Sequence, residues 1–272
     1  MAVHNPEVKR VTTHTIQEMK NRAEKIVCLT TYDFSMAKLV DGAGVELILV
    51  GDSASNVMAG HETTLPITLD QMIYHASSVV RGVKRALVVV DLPFGTYQGD
   101  SQAALNSAVR IMKEAGAHAV KMEGGVEIQE SIQRVLSAGI PVMGHLGLTP
   151  QSIYKFGTYA VRAKEESEAN KLIEDAKLLQ HLGCFAVVLE KIPAALAQKV
   201  TETVQIPTIG IGASQFTDGQ ILVLHDVLGI TKEFKPRFLR RYADLATGIT
   251  EAISHYVDDV KAKDFPNQQE SY

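Results

Sequence analysis

The stretch Val45-Glu-Leu-Ile-Leu-Val-Gly-Asp52-Ser53, followed by Gly60-His-Glu-Thr-Thr-Leu-Pro66, decides how the rest of the chain is read. A short apolar run ending in Gly and then Asp-Ser reads as a buried strand that delivers a carboxylate at its C-terminal tip. The loop after it is long for a strand-to-helix turn, and long loops in compact domains usually carry function. The arrangement recurs at Leu87-Val-Val-Val-Asp91, Ala119-Val-Lys121-Met-Glu123, Val142-Met-Gly-His145 and Ala186-Val-Val-Leu-Glu190. Each run ends in an ionisable or metal-binding side chain, and that repetition is the signal.

Outward from this stretch the chain alternates. Apolar runs at 25–30, 45–50, 86–90, 117–122, 140–144, 185–189, 206–212 and 221–224 predict eight strands. Helical stripes separate most of them: Met72, Ile73, Ala76 and Val80 between Thr68 and Gly82, then Leu105, Ala108 and Met112 between Ser101 and Gly116. Further helices are expected near 128–139, 165–182 and 193–203, with a last one over 238–262. Alternating β and α implies parallel strands, and eight units in roughly 250 residues predict an α/β fold of the closed (β/α)8 TIM-barrel type. A doubly wound open sheet competes, but it needs a glycine-rich fingerprint after the first strand, and Thr30-Thr-Tyr-Asp33 is not one. No composition break marks a second domain. The expectation is one barrel domain over 1–272, with a polar lead (Met1 to Thr15) and a loose tail from Asp264 to Tyr272.

At 272 residues, with 46% apolar and 21% charged content, the chain can bury a large core, which excludes disordered and fibrous classes. A net charge of −4 without a Lys/Arg cluster argues against a nucleic-acid binder. No apolar stretch approaches the ~20 residues that span a bilayer, and the polar lead lacks the apolar core of a signal peptide. Cys28 and Cys184 lie in strand-like runs without CxxC spacing and read as small buried core residues of a cytoplasmic protein.

Side chains alternate along a strand, so parity groups Val50 with Asp52, Val89 with Asp91, Ala119 with Lys121 and Glu123, Met143 with His145, and Val188 with Glu190. In every case the polar residue comes last, at the end where barrel enzymes place their active sites. Any one of these could be only a helix N-cap; five together are harder to dismiss. Asp52, Asp91 and Glu123 come from consecutive strands, so their carboxylates should converge, and their repulsion calls for a cation. An oxygen-only set points to a hard ion, Mg²⁺ before Mn²⁺ or Ca²⁺. Lys121 either neutralises these carboxylates or binds an anionic oxygen of a substrate. His145 is either a hydrogen-bonded core histidine or part of the chemistry. Gly210-Ile-Gly212 suggests close backbone approach after the seventh strand. The segment from Leu146 to Lys164, with Tyr154, Phe156 and Tyr159, is too long and aromatic for a connector; it is expected either to lie over the barrel mouth or to bury its rings against a neighbouring subunit.

Gly51-Asp-Ser53, Gly60-His61 with Thr64-Leu-Pro-Ile-Thr68, Met72-Ile-Tyr-His75, Asp91-Leu-Pro-Phe-Gly95, Val120-Lys-Met-Glu-Gly124, Gly144-His-Leu-Gly-Leu-Thr-Pro150 and Ile209-Gly-Ile-Gly-Ala213 together resemble the ketopantoate hydroxymethyltransferase family. The likeness runs from about Lys25 to Gly229. It implies a barrel of the phosphoenolpyruvate/pyruvate superfamily, one Mg²⁺ per subunit, 5,10-methylenetetrahydrofolate as co-substrate and a homodecamer. Carried over by position, it makes Asp52, Asp91 and Glu123 the metal shell. It also makes Asp52, Ser53, Asp91 and Lys121 the contacts to the 2-oxo acid, and Glu190 the proton acceptor. Ala54-Ser-Asn-Val-Met58 and Ser214 depart from the family's usual residues, the latter standing where Gly is common. A 2-oxo-acid lyase or phosphomutase on the same barrel, a Schiff-base aldolase built on Lys121 and a non-catalytic binding barrel are the alternatives.

Overall fold

The computed structural model describes residues 9–272. Eight strands, β1 (Ile26–Thr30), β2 (Leu47–Val50), β3 (Leu87–Asp91), β4 (Ala119–Glu123), β5 (Val142–Gly147), β6 (Ala186–Glu190), β7 (Thr208–Ile211) and β8 (Gly219–Leu222), pair in parallel in that order, and β8 closes on β1. The α/β barrel expected from the alternation is the fold. Interior side chains come from all eight strands, among them Cys28, Leu47, Leu49, Leu87, Val89, Ala119, Met143, Ala186, Val188, Ile209 and Ile221. They fill the barrel as packed layers and leave its polar positions to the C-terminal end.

One element was not anticipated. The helix Thr13–Asn21 lies partly inside the expected polar lead and buries Ile16 and Met19 in the same interior cluster. It starts at Thr12, whose side chain and that of Thr15 form a reciprocal capping box. The barrel is thereby floored with apolar side chains. The part of the lead from Met1 to Val8 lies outside the described residues.

Between strands, the helices Leu69–Gly82, Ser101–Arg110, Gln129–Ser137, Glu166–Leu182 and Ala194–Thr203 fall near the expected positions, and Phe34–Gly42 lies between β1 and β2. Thr68 caps its helix with a second capping box, through Gln71, and Asp33 and Asp100 cap theirs. Cys28 and Cys184 are buried free thiols, with burial pushing Cys184 up to about 12.

The chain divides into two compact units. One runs to Val223 and the other is Leu224–Tyr272. The strand expected at 221–224 stops at Leu222, and Leu224–Val227 forms a helical turn. In the second unit the last helix starts at Leu245 rather than 238, where Asp244 caps it through the Thr247 amide. Among the described residues no helix is long and apolar enough to cross a membrane.

Candidate active site

Strand register assembles the mouth. Asp91 on β3 is level with Lys121 on β4, and Glu123 on β4 is level with His145 on β5. Each carboxylate therefore has a nitrogen beside it on the next strand. Lys121 Nζ lies 3.0 Å from Asp91 Oδ1, 3.8 Å from Glu123 Oε1 and 3.0 Å from His145 Nδ1. His145 Nδ1 is also 3.3 Å from Glu123 Oε1, and its Nε2 is 3.4 Å from Glu190 Oε2 at the tip of β6. Lys121 can only donate. In the tautomer that accepts from it at Nδ1, the imidazole proton sits on Nε2 and faces Glu190.

Asp52 reaches this group by a different route from the one parity suggested. The interior set takes Leu47 and Leu49 from β2, so Val50 faces outward and Asp52 does not share an inward face with it. Gly51 occupies the inward position instead: a Cβ there would stand 2.7 Å from Ser53 Oγ and 3.5 Å from Asp91 Oδ2. The chain turns after Gly51, the Asp52 amide donates to Asp91 Oδ2 at 3.0 Å, and the Asp52 side chain is buried. Ser53 opens the short helix Ala54–Val57 and shares a 2.9 Å hydrogen bond with the Tyr32 hydroxyl.

A neutral side chain missed in the sequence ties these pieces together. Gln151 is buried, and its Nε2 donates to Asp52 Oδ2 at 2.9 Å and to the Leu92 carbonyl at 3.0 Å. Its amide N–H donates to Glu123 Oε2 at 2.9 Å, and its Oε1 accepts from Tyr97 Oη (2.7 Å) and Gln98 Nε2 (2.8 Å). Tyr97 Oη in turn accepts the Glu123 amide at 3.0 Å. Gln151 belongs to the turn Pro150–Ser152, so the 146–164 segment reaches the mouth through this residue. Tyr154 and Tyr159 are 77% and 48% exposed, and Phe156 carries the Arg162 guanidinium 4.2 Å above its ring.

Burial pushes the Asp52 carboxyl well above its usual range, and Asp91 and Glu123 push it further. Asp91 is raised by burial in spite of Lys121. Burial would raise Glu123 too, but His145, Lys121 and the Gln151 amide overcome it and hold the group low. Burial would lower Lys121, yet the three carboxylates override it and raise the ammonium. His145 is likewise raised, because its contacts with Glu123 and Glu190 outweigh burial and Lys121. Ionising all three carboxylates against one ammonium would leave two negative charges in a buried space, which is costly without a counter-ion, and Asp52 and Asp91 are raised accordingly.

The residues fit a hard divalent cation on those grounds. The donors are all oxygen, the residual charge matches, and Asp91 Oδ1 has no aligned hydrogen bond besides its ion pair with Lys121. Among the described residues no group of three or more His, Cys, Asp and Glu side chains is arranged to hold an ion unaided. Such an ion would need water or substrate oxygens to complete its shell, as Mg²⁺ usually does.

The remaining motifs resolve differently. Gly210 does permit a close approach, but by the chain itself: a Cβ there would lie 2.6 Å from Thr217 Oγ1. His75 Nδ1 hydrogen-bonds the Tyr32 carbonyl at 2.8 Å, beneath the residue that holds Ser53.

A closed parallel barrel with a buried acidic cluster at its C-terminal mouth defines a (β/α)8-barrel enzyme built around a cation-seeking site. Its fold is shared with a phosphonopyruvate hydrolase solved in complex with oxalate and Mg²⁺ (TM-score 0.61, 10% identity, covering 95% of this chain and 92% of that one). It is also shared with 2,3-dimethylmalate lyase, a member of the PEP mutase/isocitrate lyase superfamily (TM-score 0.60, 14% identity, 95% and 91% coverage). The chain belongs to the ketopantoate hydroxymethyltransferase family, whose model matches residues 10–268. Over 272 residues, all of both chains, it is 70% identical to the 3-methyl-2-oxobutanoate hydroxymethyltransferase of Cytophaga hutchinsonii and 68% identical to that of Flavobacterium johnsoniae.

Proposed function

We infer that this chain transfers a hydroxymethyl group from 5,10-methylenetetrahydrofolate to 3-methyl-2-oxobutanoate, giving 2-dehydropantoate in pantothenate biosynthesis. Full-length identity with curated enzymes of that activity supports the reaction. The observation that carries the chemistry is the meeting of Asp52, Asp91, Glu123 and Lys121 in one buried cluster, with Glu190 set apart across His145.

In this reading Asp52, Asp91 and Glu123 are the residues that would hold one Mg²⁺ per subunit, with water completing its shell. The ion supplies Lewis-acid stabilisation of negative charge on the oxygens of the 2-oxo acid. Lys121, kept charged by its carboxylates, adds a fixed positive charge beside the same oxygens. Asp52, Ser53 and Asp91 line the place where the oxo acid sits. Glu190 takes the proton from C3, being the carboxylate that stands outside the Asp52–Asp91–Gln151 contacts. The resulting carbanion forms a C–C bond to the one-carbon unit while both of its C–N bonds to the folate break. One water supplies the hydroxyl oxygen, and the second water proton and the proton taken from C3 end on the two folate nitrogens. A Schiff base on Lys121 is disfavoured, because three carboxylates stabilise the ammonium that a nucleophilic amine must lose. A homodecamer and a cytoplasmic location belong to the same reading.

The test is formation of ketopantoate from 2-oxoisovalerate and methylenetetrahydrofolate, with and without a chelator. Turnover that a chelator leaves intact would remove the cation from this account.

A further inference from the structure

Beside the acidic cluster the barrel carries a cavity of about 600 Å³ at the C-terminal ends of β4 and β5. That is within the range of roughly 300–1,000 Å³ typical of small-molecule sites. Glu123, which also belongs to the cluster, is among its walls, as are Lys155, Phe156, Arg162, Ser167 and Lys171. The charges along it are not equivalent. Lys171 is already paired, to Glu127 at 2.8 Å and to Asp175. Arg162 pairs with Glu168 and stacks on Phe156, but its Nε is buried without a partner. Lys155 makes no ion pair or hydrogen bond among the described residues and is exposed. The walls therefore hold an aromatic face, one uncommitted ammonium and one buried donor that lacks an acceptor. A buried orphan donor is costly unless a ligand satisfies it.

We propose that this cavity binds the folate co-substrate, with its one-carbon bridge toward Glu123 and its glutamyl carboxylates toward Lys155 and Arg162 Nε. The proposal rests on the reaction inferred above and places the second substrate within it. A one-carbon donor must approach the C3 carbanion from a side that the oxo acid and Glu190 leave open. Glu123 is shared by the acidic cluster and the cavity, so a ligand filling the cavity ends against the bound oxo acid. Lys155 and Arg162 supply what a dianionic glutamate needs, an ammonium and a guanidinium N–H.

The experiment compares Lys155→Gln, Ser167→Trp (an exposed position where a large ring would obstruct the cavity) and the parent protein. Affinity is measured by titration with tetrahydrofolate and with tetrahydropteroate, which lacks the glutamate. Lys155→Gln is expected to weaken tetrahydrofolate roughly 5- to 20-fold, the effect of one charged hydrogen bond at a partly solvated site. It should leave tetrahydropteroate unchanged. Ser167→Trp is expected to weaken both ligands. Exchange of the C3 proton of 2-oxoisovalerate with deuterated water, which needs no folate, should stay at the parent rate in both variants and shows that they are folded. Parent affinity for tetrahydrofolate in both variants would overturn the cavity assignment. Weakening by Ser167→Trp alone would overturn the orientation. Absence of C3 exchange in the parent protein would instead refute the underlying reaction.

Discussion

Replacing Gln151 with Ala should weaken the inferred metal site without unfolding the barrel. The substitution removes the donor to Asp52 Oδ2, the donor to the Leu92 carbonyl and the acceptor used by Tyr97 and Gln98. The bond to Asp52 is charge-assisted and worth about 1.5–3 kcal/mol. At about 1.4 kcal/mol per decade, its loss corresponds to roughly 10- to 150-fold in any equilibrium that needs Asp52 ionised and aimed. That agrees with the roughly 10- to 100-fold usual when a partner behind a metal ligand is removed. Asp52 is already the carboxyl most opposed to ionisation, through burial and through Asp91 and Glu123, and Gln151 is among the few influences in its favour. The backbone bond from residue 151 to Glu123 survives the change, so the effect falls on Asp52. Gln151→Glu can still accept from Tyr97 and Gln98, yet it places a carboxylate where Asp52 needs a donor. It should therefore lose a comparable factor. The assay is calorimetric titration of Mg²⁺ in the presence of 2-oxoisovalerate, with circular dichroism to confirm folding. Half-saturation within twofold of the parent in both variants would refute the clamp.

Glu190→Gln should bind Mg²⁺ and 2-oxoisovalerate normally while C3 proton exchange falls roughly 10²–10⁴-fold, the range for a lost general base; exchange at the parent rate would eliminate Glu190. Asp91→Ala should abolish most of the Mg²⁺ dependence of substrate binding, because it also releases Lys121 and the Asp52 amide; an unchanged dependence would contradict its role. The raised pKa of Asp52 means that the metal-free folded state binds a proton more tightly than the unfolded chain. Its contribution to stability therefore falls as pH rises above the ordinary carboxylate range of about 4, and Mg²⁺ should restore it. The Mg²⁺-induced rise in thermal midpoint should grow with pH from there, and a rise that shrinks would refute the sign. Ser214 holds a φ of +96°, so Ser214→Gly should stabilise the fold by about 1 kcal/mol in urea titration, less the weak 3.3 Å bond from the Phe216 amide.

What could be read from residues alone was whatever is periodic. Alternation along β3, β4, β5 and β6 placed Asp91, Lys121, Glu123, His145 and Glu190 on inward faces because those strands stay regular to their last residue. β2 ends two residues before Asp52, and once the backbone turns, parity says nothing about where a side chain goes. Gln151 and Tyr97 left no trace because neutral polar residues in irregular segments have neither period nor charge pattern. Their importance comes from contacts between residues 54 positions apart, or 99 for Gln151 and Asp52. The helix Thr13–Asn21 was missed because its apolar positions sit in otherwise polar sequence. Ser214 was visible only as a departure from a family habit, and its backbone angle gives that habit a physical cause.

The apolar floor laid by Ile16 and Met19 has a kinetic consequence. A tube sealed at one end has a single doorway, and whatever sits deepest must arrive first and depart last. Lys121 and Asp91 lie at the bottom of the polar region, almost inaccessible to solvent. With the substrates placed as inferred above, traffic would be sequential: the small acid enters, the carrier of the one-carbon unit follows, the spent carrier leaves, and the enlarged acid comes out behind it.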